Sequence, residues 1–306
     1  SDRTGGLAVS RIKCIVDMSY ILLFIGKHAR ALRVLDLASE DEVSSLPAKE
    51  RLGFDQRKAE VLCALGRFEE CSLLFKETIE MAQGLFGQND RTTTDIVISY
   101  AQALCANGEL DIADNILRRC LVGREESLGA DHPITLSIAY NLADLLSQRT
   151  MHSEAIPLRR RELDWCRQQN GNTDPGTLTS INDLAIDLRE TGELEEAEAL
   201  FRELLAARQQ VLEPNDFGIG RALGGLAKTL EEAGKPDDAV VFAQQALDHR
   251  FEHEGADAWC TNRERLDLAS VLHKLNRSAE ALSLLEQLQE SMAKLDKSDE
   301  DDQQLL

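Results

Sequence analysis

Leu188-Arg189-Glu190-Thr191-Gly192-Glu193-Leu194-Glu195-Glu196-Ala197 is the stretch whose reading decides the fold. Its frame, Leu-x-x-x-Gly-x-x-x-x-Ala, returns along the chain with the turn position at Gly26, Gly66, Gly108, Thr150, Gly192, Gly234 and Asn276. The first interval is 40 residues and every later one is 42. A fixed period of this size marks an array of stacked supersecondary units, each of which buries its apolar face only against its neighbours.

The conserved spacing explains itself physically. Four residues before each turn stand Leu22, Leu62, Leu104, Leu146, Leu188, Leu230 and Leu272. Seven before stand Ser19, Ala59, Ala101, Ala143, Ala185, Ala227 and Ala269, and five after stand Ala31, Cys71, Ala113, Ala155, Ala197, Ala239 and Ala281. The first two sets are three residues apart and share a helix face. The third lies just inside a second helix, where small side chains let two backbones cross closely. Gly or Asn suits the left-handed residue that closes a helix. Thr150 does not, so its turn is expected to be the least regular. Each unit reads as a helical hairpin, for example Thr179–Glu190 followed by Leu194–Val211. Polar linkers follow at Gly129–Pro133, Gly171–Pro175 and Glu213–Asp216, with Asp131, Asp174 and Asp216 at the expected N-cap positions.

This small-residue pattern resembles that of tetratricopeptide repeats. The 42-residue period, the link Ala130-Asp131-His132-Pro133-Ile134-Thr135-Leu136 and the Tyr140-Asn141-Leu142-Ala143 beyond it are similar to the kinesin-light-chain variety. The resemblance covers roughly residues 11–290. It implies an all-α fold, a right-handed α–α superhelix of about seven hairpins and fourteen helices. Residues 1–10 are a lead-in, 11–290 a single solenoid and 291–306 an acidic C-terminal tail, expected to be disordered from Asp296.

Composition narrows the partners. The chain has 306 residues and a formal net charge of −20, which argues against nucleic acid and anionic membranes. No run of about 20 apolar residues predicts a membrane span. Seven cysteines are scattered with no C-x-x-C pair, and read as small hydrophobes in a reducing, cytoplasmic setting without disulfides. The first unit is unusually apolar (Ile12, Ile15, Val16, Ile21, Leu22, Leu23, Phe24, Ile25), so this end offers a surface for self-association.

Candidate chemistry is thin. Gly218-x-Gly220-x-x-x-Gly224-Gly225 has the wrong spacing for a dinucleotide loop and lies in helical sequence, so it reads as close helix packing. His249 and His253 are too few ligands for a zinc site. No nucleophile elbow, phosphate loop or metalloprotease motif occurs. The expectation is a protein without catalytic residues, metal or cofactor.

The resemblance further implies that the first helix of each hairpin lines a concave groove. The groove positions fall 13, 10, 6, 3 and 2 residues before each turn. They include Tyr140 and Asp144 in the fourth unit, Asn182, Ile186 and Arg189 in the fifth, Arg221 and Lys228 in the sixth, and Arg263, Leu266 and Lys274 in the seventh; Asn141 adjoins Tyr140. In units five to seven the cations Arg189, Arg221, Lys228, Arg263 and Lys274 outnumber Glu190, Glu231 and Glu232, so the groove is locally basic within an acidic chain. The expected function is an interaction scaffold that captures a partner protein or an extended acidic peptide. The alternative is a sensor that relays partner binding to a separate NTPase or protease domain.

Overall fold

The computed structural model describes residues 2–211 and 217–304. These form fifteen helices and, among the described residues, no strand. They group into two compact units, Ser1–Met151 and His152–Leu306. The first unit holds α1 (Asp2–Phe24), α2 (His28–Leu35), α3 (Glu40–Ser44), α4 (Ala48–Ala64), α5 (Phe68–Phe86), α6 (Arg91–Ala106), α7 (Leu110–Leu128) and α8 (Pro133–Gln148). The second holds α9 (His152–Asn170), α10 (Pro175–Glu190), α11 (Leu194–Val211), α12 (Phe217–Glu232), α13 (Pro236–Glu254), α14 (Trp259–Lys274) and α15 (Ser278–Gln304).

Within each unit, helices pack in chain order, and alternate helices such as α4 and α6, or α10 and α12, also touch. That is the neighbour-to-neighbour packing of an all-α solenoid. The repeat frame is its core. Ala59, Ala101, Ala143, Ala185, Ala227 and Ala269 are buried, as are all seven residues at the following small slot, from Ala31 to Ala281. In the second unit, Leu184, Ala185, Leu188, Ala197, Leu200, Phe201 and Leu204 form one apolar cluster with Leu226 and Leu230.

Every hairpin turn has one geometry. The turn residue's N–H bonds the carbonyl three residues back, and the next N–H bonds the carbonyl five back, as in Gly192 N to Arg189 O (2.9 Å) and Glu193 N to Leu188 O (2.9 Å). Thr150 repeats it, at 3.0 Å to Ser147 O and, through Met151, 2.8 Å to Leu146 O, with φ +59°. The expected irregular turn is therefore regular: the paired hydrogen bonds hold a β-branched residue in a left-handed conformation that costs about 1–2 kcal/mol. Thr150→Gly is expected to raise the unfolding free energy by about 0.5–1 kcal/mol in urea titrations, once glycine's larger unfolded-state entropy is subtracted.

A second device recurs at the linkers. Gly87, Gly129, Gly171 and Gly255 close the second helices with φ between +85° and +93°. Thr93, Thr135, Thr177 and Thr261 follow six residues later, fully buried, and Thr93 and Thr261 bond the glycine carbonyl at 2.9 and 2.8 Å. Asp174 caps α10 as expected, accepting from Gly176 N at 2.9 Å. At α8 the cap is His132, whose Nδ1 accepts from Ile134 N at 3.2 Å, and not Asp131. Asp216 and its linker lie outside the described residues.

Three further expectations are corrected, and the apolar residues of the first unit are placed. The first hairpin is short, because α2 has only 8 residues, and a fifteenth helix, α3, follows it behind the capping box of Ser39 and Glu42. The lead-in belongs to α1, and α15 runs through the acidic tail to Gln304. The apolar first unit is divided: Ile12 and Ile15 enter the core, whereas Ile21, Phe24 and Ile25 are exposed, Phe24 by 83%. Finally, Cys63 and Cys71 are joined as a disulfide across the α4–α5 turn, leaving five free cysteines. These residues stand three before and five after Gly66, where the hairpin brings the Cα atoms to 5.4 Å, a span a disulfide bridges. Cysteine fills both positions in this hairpin alone; the fifth, for comparison, has Arg189 and Ala197. Among the described residues, no helix is long and apolar enough to cross a membrane.

Candidate functional site: a cleft between first helices

Three first helices of the second unit, α10, α12 and α14, bound a cleft of about 410 Å³. Asn182, Ile186 and Arg189 come from α10, Arg221, Gly224, Gly225 and Lys228 from α12, and Trp259, Cys260, Arg263, Glu264 and Asp267 from α14. Phe201 of α11 and Arg250 of α13 reach it from the second helices. The glycines read in the sequence as close packing occur here. A Cβ at Gly225 would run into the Phe201 ring, and one at Gly220 would stand 3.0 Å from Arg250 Nε and His249 Nδ1. Gly224 faces the Glu264 carboxyl, whose oxygens lie 3.0 and 3.1 Å from where its Cβ would be.

The cleft's polar groups are incompletely satisfied. Asn182 is 3% exposed; its Nδ2 donates to Asp183 Oδ1 at 3.1 Å, and its Oδ1 has no partner. The Nε–H groups of Arg189 and Arg250 are likewise buried without hydrogen bonds. Arg189 pairs through Nη2 with Glu190 and lies 3.7 Å from Glu232, and Arg250 pairs with Glu254. Among the described residues, Arg221 and Lys228 form no ion pair within 4 Å. Arg263 stacks over the exposed Trp259 ring at 5.7 Å. Buried donors and acceptors left unpaired cost free energy, so such a set is a place where a ligand gains by supplying the missing partners.

Electrostatics follow from burial. Glu264 is 9% exposed, and desolvation, with the neighbouring Asp267, pushes its carboxyl up to about 7 against the opposing pull of Arg250, Arg263 and Lys228. The Arg189 guanidinium, by contrast, holds Glu190 below the usual carboxylate range, chiefly by hydrogen bonding.

Of the residues expected in the groove, Asn182, Ile186, Arg189, Arg221, Lys228 and Arg263 line this one cleft. Leu266 and Lys274 do not: Leu266 points to solvent, 52% exposed, and Lys274 pairs with Glu231 at 2.9 Å. Asn141 and Asp144 line a separate cleft of about 260 Å³ in the first unit with Gln102, Cys105 and Gln148. There the Asn141 amide is already engaged, accepting from Gln102 Nε2 at 2.9 Å and donating to the Ser137 carbonyl at 2.8 Å. Tyr140 is half-buried and is not part of that cleft's lining.

Sequence reasoning missed Glu264, Asp267, Trp259 and Arg250. For Glu264 a signal existed. It stands twelve residues before its turn, where the second to sixth hairpins carry Phe54, Ile96, Ile138, Ser180 and Ala222, all buried, and the first carries an exposed Cys14. A carboxylate in that column is the anomaly.

The tetratricopeptide repeat pattern matches residues 93–168, 150–210 and 176–250, and a second form of it matches 220–301. The chain belongs to the tetratricopeptide repeat family, whose repeats build protein-interaction scaffolds. No curated protein matches it in sequence. Among solved structures it is similar to the nearly identical TPR-like repeats of a kinesin light chain from Podosopora anserina, with 20% identity, TM-score 0.60, and coverage of 67% of this chain and 98% of that one. It is similar to a Rap protein complexed with competence and sporulation factor (12% identity, TM-score 0.58, coverage 95% and 78%). It also resembles a signal transduction ATPase with a tetratricopeptide repeat sensor from Pyrococcus horikoshii (12% identity, TM-score 0.70, coverage 96% and 44%). At these identities the likeness is one of fold.

Proposed function

We propose that the chain is a non-catalytic interaction scaffold that holds an extended peptide segment of a partner in the α10–α12–α14 cleft. The observation that carries this reading is the convergence, on one cleft between first helices, of cationic side chains and buried polar groups without partners. An extended backbone presents both N–H donors and carbonyl acceptors, which answers an unpaired amide oxygen and unpaired guanidinium N–H groups together. Ile186, half-buried at the cleft wall, gives an apolar side chain of the ligand a contact.

Titration of the full chain with acidic peptides tests it. Charge reversal at Arg221→Glu plus Lys228→Glu is expected to weaken binding at least tenfold, about 1.4 kcal/mol or more, and added salt to weaken wild-type binding. Equal affinity of both proteins would count against the cleft.

The second reading, a sensor that relays binding to an effector, draws on the Pyrococcus horikoshii likeness, in which the repeats are the sensor of a larger ATPase. A fused effector domain in the full reading frame would favour it.

A further inference from the structure

We infer that the α10–α12–α14 cleft selects a peptide carrying both an acidic and a basic side chain, with Glu264 as the residue that receives the basic one. This rests on the peptide-binding reading above and changes the ligand from a uniformly acidic segment to a dipolar one.

Four observations converge. Glu264 is more than nine-tenths buried, and among the described residues it forms no hydrogen bond and no ion pair within 4 Å. Its carboxyl packs into the space that the missing side chain of Gly224 leaves, and both residues line the cleft that a ligand would enter. Asp267, one turn further along α14, lines the same end of the cleft. Asn182 Oδ1, also buried and unpartnered, adds a second acceptor that only a donor can satisfy. The same cleft is lined by Arg221 and Lys228 of α12, which among the described residues form no ion pair within 4 Å and call for acceptors.

A uniformly acidic segment answers only the second group and sets its own charge against Glu264 and Asp267. A lone inorganic anion answers no acceptor at all. An ammonium or guanidinium near Glu264, with a carboxylate near Arg221 and Lys228, pairs both groups and removes the cost of the buried unpaired carboxyl. The raised protonation range of Glu264 agrees with this: burial and the neighbouring Asp267 outweigh the pull of Arg250, Arg263 and Lys228 and hold the proton on, and a ligand cation in contact would displace it. A carboxylate where the other hairpins place apolar or small residues fits a role in binding better than one in packing.

The test uses the full chain and three pools of octapeptides with randomised uncharged positions. The fixed charged positions are all Glu, mixed Glu and Lys, or all Lys. The mixed pool is expected to bind about tenfold or more tighter than either uniform pool at pH 8. Its advantage should shrink as pH falls below about 7, where Glu264 takes up its proton. Glu264→Gln should remove the preference for the mixed pool and its pH dependence, while binding of the all-Glu pool stays equal or improves. Asp267→Asn should weaken the mixed pool in the same sense. Equal or tighter binding of the all-Glu pool, with Glu264→Gln indifferent, would overturn the inference and leave the peptide cleft standing. No binding by any pool would overturn both.

Discussion

Leu188→Ala is expected to lower the unfolding free energy by about 2–5 kcal/mol, the range for deleting a fully buried leucine side chain without collapse of the surrounding core. Leu188 is 0% exposed and sits four residues before the turn in the column that is leucine in all seven hairpins. Its carbonyl accepts from Glu193 N at 2.9 Å, a backbone bond the substitution leaves in place. The loss therefore comes from packing against Leu184, Ala197, Leu200 and their neighbours in the second unit's core. Urea denaturation with a probe in the second unit reads it, with Glu195→Ala as the reference. Glu195 is exposed and should move stability by no more than about 0.5 kcal/mol. Similar effects for the two variants would mean that the helix register is wrong.

Glu264→Gln carries the second large effect, and its sign is pH-dependent. The folded chain releases the Glu264 proton near pH 7, and the unfolded chain near the ordinary 4.5. Between those values the folded state binds the extra proton, so this group's contribution to stability declines as pH rises from 4.5 to 7 and is level above 7. At 1.36 kcal/mol per pH unit the loss approaches roughly 3 kcal/mol. The groups that set it are Asp267 and Arg263 on α14, Arg250 on α13 and Lys228 on α12. Glutamine has no proton to release, so the variant should gain on the wild type across that interval, by up to about 3 kcal/mol at pH 8 relative to pH 4.5. Urea midpoints of both proteins at the two pH values give the difference. Parallel pH profiles would show that Glu264 is not held by burial.

What the sequence could and could not reveal divides along a physical line. The hairpins were legible because their determinants are local: a leucine and an alanine on one face, a left-handed turn residue, and a small residue where helices cross. Those same rules place Ala185 and Ala197 in the core without knowledge of anything distant. Where neighbouring groups within the turn override the preference of a single residue type, the reading failed. Thr150 takes the glycine conformation because two backbone bonds hold it there. Cys63 and Cys71 meet because the turn folds positions three before and five after it together, a relation that a search for C-x-x-C cannot see. His132, rather than the acidic residue beside it, turns its ring nitrogen to the first helical N–H of α8 that needs an acceptor.

The cleft shows the same division. Asn182, Ile186, Arg189, Arg221, Lys228 and Arg263 share it because a repeat frame carries groove positions from one first helix to the next. Glu264 falls at a position the frame assigns to the packed side of α14, whereas Asp267 shares the register of Asn141 and Asp183, and both reach the cleft beside Gly224 and Gly225, which leave α12 without side chains there. Arg250 arrives from a second helix, across Gly220. The cleft keeps an excess of cations, Arg189, Arg221, Lys228, Arg250 and Arg263 against Glu264 and Asp267, but its carboxyls come from α14 and not from the glutamates counted in the sequence.

The central claim is that a peptide lies between the first helices of the second unit. Amide hydrogen exchange of the full chain, with and without the tightest-binding member of the mixed-charge pool, tests it most directly. The account predicts slower exchange confined to residues 182–190, 221–232 and 259–267, and the loss of that protection in Arg221→Glu plus Lys228→Glu. Protection elsewhere with these three segments unchanged would contradict it.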